Sequence, residues 1–73
     1  NKHVNNGQYV RMAMDFIPED FEIKQLRAEY KSQAVLDDEI CPFVAVSEEG
    51  KLYTVVLNNK DGRPYCIVEM LGR

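Results

Sequence analysis

In the window 7–17 the only polar side chains are Gln8, Arg11 and Asp15, and at about 3.6 residues per turn all three fall on one line of a helix. Val10, Ala13, Met14 and Ile17 recur at the i, i+3, i+4, i+7 spacing, and Tyr9, Met12 and Phe16 fill a second face. An apolar arc this wide cannot face water, so it predicts a helix of about three turns that other parts of the chain must wrap. Asn5 or Asn6 can cap its start through a side-chain oxygen, and Pro18 stops its far end. Few folds take such a rod at the front of a short chain.

The remainder reads as four strands. Residues 21–34 alternate in two registers, Phe21 and Ile23 first and then Leu26, Ala28 and Tyr30, which a bulge near Lys24 and Gln25 reconciles. Leu36, Asp37, Asp38 and Glu39 make a turn. Residues 40–46 are almost wholly apolar and include Pro42, whose missing N–H implies an edge, a bulge or a strand start. Ser47-Glu48-Glu49-Gly50 turns the chain into a strand over 51–58, and Asn59-Lys60-Asp61-Gly62 turns it again into 64–71. One apolar helix followed by an antiparallel meander is an α+β architecture with the sheet curled around the helix. Cys41 and Cys66 then lie on strands with another between them. At about 4.8 Å per strand they stand near 10 Å apart, beyond the roughly 7 Å limit for a disulfide, and both are expected as free, buried, hydrophobe-like thiols.

A chain of 73 residues is one domain at most. A core of this size rarely supplies more than about 3–5 kcal/mol, so a partner surface is expected. The chain does not begin with Met and its first residue already belongs to its most informative segment, which predicts a piece of a longer protein. The formal charge is -3, and Lys24, Arg27, Lys31, Lys51, Lys60 and Arg63 are interleaved with acids rather than gathered into a stripe, which argues against a nucleic-acid partner. No apolar run approaches the roughly 18 residues of a membrane helix and no signal-peptide pattern is present, so the expected setting is cytoplasmic, with no membrane partner. One His and two distant Cys cannot supply four metal ligands.

Two fold families share the outline of one helix under a four-stranded sheet, the hotdog and the cystatin-like folds, and the opening residues discriminate between them. Asn1-x-His3-Val4-Asn5-Asn6-x-x-Tyr9 resembles the segment that leads into the central helix of hotdog-fold thioesterases, with the closest likeness to the acyl-acyl carrier protein thioesterases. Leu26-Arg27-Ala28-Glu29-Tyr30-Lys31-Ser32-Gln33-Ala34 stands at the distance of that family's Glu-Tyr strand, and the acids at Asp37, Asp38 and Glu39 resemble the turn that follows it. Lys2 before His3, with Asn1 before that, is similar to the carrier-protein branch; single-domain acyl-coenzyme A thioesterases tend to have Gly before the His. The likeness rests on motifs over about the first 40 residues and on strand order beyond them.

The resemblance implies a hotdog-like domain spanning 1–73 but lacking its first strand, the C-terminal half of an enzyme with two hotdog domains. Its substrate would be a fatty acyl chain held on the phosphopantetheine arm of acyl carrier protein, hydrolysed in fatty acid biosynthesis with no metal or dissociable cofactor. The N-terminal hotdog domain would be its other partner, and the isolated piece is expected to be inactive. An open sheet edge also suggests a homo-oligomer. The rival readings are a single-domain acyl-coenzyme A thioesterase and a non-catalytic cystatin-like or hotdog binding module.

Carried over by motif, the catalytic candidates are Asn1, His3 and Gln33. The family's catalytic Asp would lie two residues before Asn1; its strand Glu falls on Gln33 and the Cys of its plant members on Ala34. A Gln amide can orient water but cannot take its proton at neutral pH, so base chemistry would fall on His3 or on that Asp. Asn6, Gly7 and Tyr9 are the substrate-binding candidates. The N–H groups at Asn6, Gly7 and Gln8 could polarise the thioester carbonyl, and Gly7, lacking Cβ, admits close approach to the backbone. Plainer roles stand beside these: His3 as an exposed terminal residue, Asn5 and Asn6 as caps, Tyr9 as core with its hydroxyl bonded, and Gln33 as a polar-face strand residue.

Overall fold

A computed structural model describes residues 4–35 and 37–73. Its helix α1 runs Asn6–Met14 and begins on a reciprocal cap. The Asn5 side chain accepts the Gln8 amide at 3.1 Å while the Gln8 side chain accepts the Asn5 amide at 3.0 Å. The helix ends three residues earlier than the periodicity over 7–17 predicts. Asp15, Phe16 and Ile17 each donate to the carbonyl three residues back, at 3.2, 3.1 and 3.4 Å. Pro18 disfavours helical geometry at Ile17, and the last turn tightens before it gets there.

Four strands follow: β1 Ile23–Tyr30, β2 Cys41–Val46, β3 Leu52–Asn58 and β4 Pro64–Gly72. They form one antiparallel sheet in the order β1-β4-β3-β2. The last three make the expected meander, but β1 pairs with β4 and not with β2, which corrects the simple four-strand succession. The chain between β1 and β2 is too long for a hairpin and crosses to the far edge of the sheet. The β1 register shifts between Ile23 and Gln25, where the two alternations of the sequence meet. Both hairpin turns close on a glycine in the left-handed region, Gly50 at φ 71° and Gly62 at φ 87°, a conformation other residues adopt only at a cost.

Pro42 is the second residue of β2, an edge strand. Ser47 donates to the Leu52 carbonyl across the hairpin, so by alternation the amides of Ala45 and Phe43 also face β3. The amide that Pro42 lacks would have faced outward, so no ladder bond is lost. Cys41 and Cys66 are free thiols on β2 and β4, with β3 between them.

The core lies between α1 and the central strands. Tyr9 and Ala13 of the helix are buried against Val55 and Leu57 of β3 and against Cys66, Val68 and Met70 of β4. The sheet does not close into a barrel, and the helix is not enclosed on all sides. Its Met14 is 45% exposed, Phe16 just beyond it is 41% exposed, and the outer strands leave Tyr30 and Val46 open as well.

A second bulge, which the sequence analysis did not anticipate, interrupts the β3–β4 ladder. Leu57 pairs with Cys66 and Asn58 with Pro64, leaving Tyr65 without a partner on β3. As a result the consecutive residues Tyr65 and Cys66 are both buried, where strict alternation would turn one of them outward.

Candidate functional site

Of the candidate site residues, Asn6, Gly7 and Tyr9 lie in the first turn of α1. Asn1 and His3 lie outside the described residues. Val4 is buried, and its amide donates to the Ala34 carbonyl at 3.0 Å. The residue after His3 is therefore bonded to the residue after Gln33, which brings the two stretches of the motif together across some thirty positions of sequence. Gln33 itself is exposed, in a segment that has left β1.

Asn6 and Gly7 are exposed at the helix start, where the first-turn amides and the helix dipole favour an electron-rich atom. Of the three amides nominated there, Gln8 is engaged by Asn5, so the set narrows to Asn6 and Gly7, which donate to no group among the described residues. Gly7 is not in the left-handed region, and a Cβ added to it would meet only the Asn5 Oδ1 at an ordinary 3.5 Å. Neither backbone geometry nor packing calls for a glycine at this position.

Tyr9 lies beneath this surface, fully buried, and its hydroxyl accepts the Ala34 amide at 2.8 Å. Two further tyrosines, missed in the sequence, gather around it. The Tyr30 ring lies 6.2 Å from that of Tyr9, tilted by 50°, and its hydroxyl reaches the Asn6 carbonyl at 3.5 Å. Tyr65 stacks on Tyr9 at 6.4 Å and 27°, and its hydroxyl donates to Asp38 Oδ2 at 3.1 Å. The same carboxylate oxygen accepts the Val35 amide at 3.0 Å. Burial first, and then the hydrogen bond and charge of Asp38, push the Tyr65 hydroxyl above its ordinary range, so it remains a donor at neutral pH. The one signal that could have revealed this cluster is the apolar pair Tyr65-Cys66 breaking the alternation of Cys66, Val68 and Met70, the same kind of slip that marks the β1 bulge.

The cysteines are poorly suited to nucleophilic work. Burial, followed by the Glu39 carboxylate beside it, raises the Cys41 thiol, and burial alone raises Cys66. The Cys41 Sγ stands 3.7 Å from Glu39 Oε2. Among the described residues no helix is long and apolar enough to cross a membrane.

A capped helix laid over the central strands of an open antiparallel sheet, with its exposed amides beside a returning strand segment, defines an α+β protein of the hotdog type. The family model described as the acyl-ACP thioesterase C-terminal domain matches residues 1–70, and the chain belongs to that family. Comparison with curated proteins and with solved structures gives no match.

Proposed function

We propose that the protein carrying this chain hydrolyses the thioester joining a fatty acyl chain to the phosphopantetheine arm of acyl carrier protein, ending chain growth in fatty acid synthesis. Water attacks the thioester carbonyl carbon and the C–S bond breaks. The acyl group leaves as the carboxylic acid, and the proton lost by water passes through His3 to the departing sulfur. Asn1 orients substrate or water, Gln33 holds water through its amide, and the amides of Asn6 and Gly7 stabilise the developing oxyanion. Tyr9 contributes from below, as the floor on which the substrate-facing backbone rests. In this reading residues 1–73 form a single hotdog domain that works beside a second one in the cytoplasm.

The observation that carries the proposal is the helix start, where the amides of the exposed Asn6 and Gly7 donate to no group among the described residues and lie near the Val4–Ala34 link. It is tested in the intact protein by following release of carrier thiol from acyl-acyl carrier protein. His3→Ala should lower kcat on the order of 10²–10⁴-fold. Gly7→Ala should leave the thermal midpoint unchanged or higher, because Ala favours helix over Gly, while hydrolysis falls. A wild-type protein that releases no thiol, or a Gly7→Ala variant with undiminished turnover, would count against the assignment.

A further inference from the structure

The segment that carries Gln33 belongs to no strand, yet both of its ends lead back to one residue, Tyr65. On the near side, the amides of Lys31 and Ser32 both donate to the Tyr65 carbonyl, at 2.8 and 3.3 Å, and the Ser32 hydroxyl donates to the Pro64 carbonyl at 3.1 Å. On the far side, the Val35 amide donates to Asp38 Oδ2, which also accepts the Tyr65 hydroxyl. In the middle, the Ala34 amide donates to the Tyr9 hydroxyl, and the Tyr9 ring is stacked against Tyr65. The bulge makes this convergence attainable, since it leaves Tyr65 unpaired with β3 and brings it into the core next to Cys66.

We propose that Tyr65 is a positioning residue for thioester hydrolysis, fixing the backbone before Gln33 through its own carbonyl and the backbone after it through Asp38 and Tyr9, so that the Gln33 amide and the Val4–Ala34 link keep their places relative to the helix start. The inference rests on the thioesterase reading above. It adds that the rate depends on a hydroxyl and a carboxylate that never touch substrate. Orientation within a site is sensitive to displacements of an ångström or less, so loosening this segment costs turnover while the acyl chain and carrier, held elsewhere, bind as before.

The test uses the intact protein with acyl-acyl carrier protein as substrate. Tyr65→Phe removes the hydroxyl and keeps the ring and the carbonyl, so the stack and the near-side bonds persist. Its kcat should fall about tenfold with KM changed less than about twofold. Asp38→Ala should give a similar loss, and Asp38→Asn, whose side-chain oxygen still accepts both bonds, should restore what the alanine loses. The double variant Tyr65→Phe/Asp38→Ala should be no slower than either single one, because both act through the same link. A Tyr65→Phe protein that retains full kcat while the wild type hydrolyses its substrate overturns the positioning role and leaves the thioesterase reading standing. So do losses that multiply in the double variant, or an Asp38→Asn variant no better than Asp38→Ala. A wild type that hydrolyses nothing overturns the thioesterase reading and this inference together.

Discussion

Tyr65 shows how much a single hydroxyl can be asked to do. Its pKa is raised chiefly by burial and then by Asp38, so the folded state favours the neutral form more than the unfolded chain does. The stability this supplies is fully present below the unfolded value of about 10 and is lost as pH rises through the higher folded value. Tyr65→Phe should therefore remove a component of alkaline destabilisation. Urea midpoints measured from about pH 8 to 11 should fall more steeply in the wild type than in the variant, and parallel falls would show that the hydroxyl is not held as described. Other single residues could be read without coordinates. Asn5 or Asn6 was the expected cap and Asn5 is the one, and Tyr9 was readable as core from its place on the apolar helix, although the partner of its hydroxyl, Ala34, was not. The role of Asp38 could not be read this way, because its donors come from Val35 beside it and from Tyr65 on another strand.

At the scale of the element, α1 is set at its start and open at its end. The reciprocal Asn5–Gln8 cap satisfies two first-turn donors, whereas the last turn tightens before Pro18 with Met14 and Phe16 exposed. Asn5→Ala should cost about 0.5–2 kcal/mol in urea denaturation, the range for losing an N-cap. A change within about 0.2 kcal/mol would place the anchoring of the helix in its packing on β3 and β4 instead. In the sheet, the β1 bulge was readable from the slip between Ile23 and Leu26. The β4 bulge was not read, although the adjacent Tyr65 and Cys66 carry the same kind of signal. The end of β1 at Tyr30 was also overestimated, because residues 31–34 keep strand-like composition while their amides bond to Tyr65 and Tyr9.

For the molecule as a whole, the sheet remains unclosed and β2 offers an edge. Alternation directs the backbone groups of Val44 and Val46 away from β3, and Phe43 and Val46 are 61% and 49% exposed. No charge lies within Cys41–Val46 to discourage pairing. The homo-oligomer expected of an open sheet edge would form here. Sedimentation velocity should show the mean mass rising with concentration for the wild type and staying lower for Val44→Lys, which places a charge on the edge without disturbing the β3 ladder. A wild type that sediments as a monomer at every concentration, or a Val44→Lys variant that associates equally well, would rule that edge out.

What the sequence determined by itself was local: a cap at Asn5 or Asn6, the glycine turns, the periods of helix and strand, and the first bulge. These follow from sterics and hydrogen bonds among residues close in the chain. Only the tertiary structure decided that β1 pairs with β4, that the helix is buried chiefly on the central strands, and that Val4, Tyr9, Asp38 and Tyr65 bond to one another and to Ala34 and Val35, beside Gln33 in the chain. Those arrangements depend on which distant surfaces bury each other best, and that free-energy comparison is made by the whole chain at once.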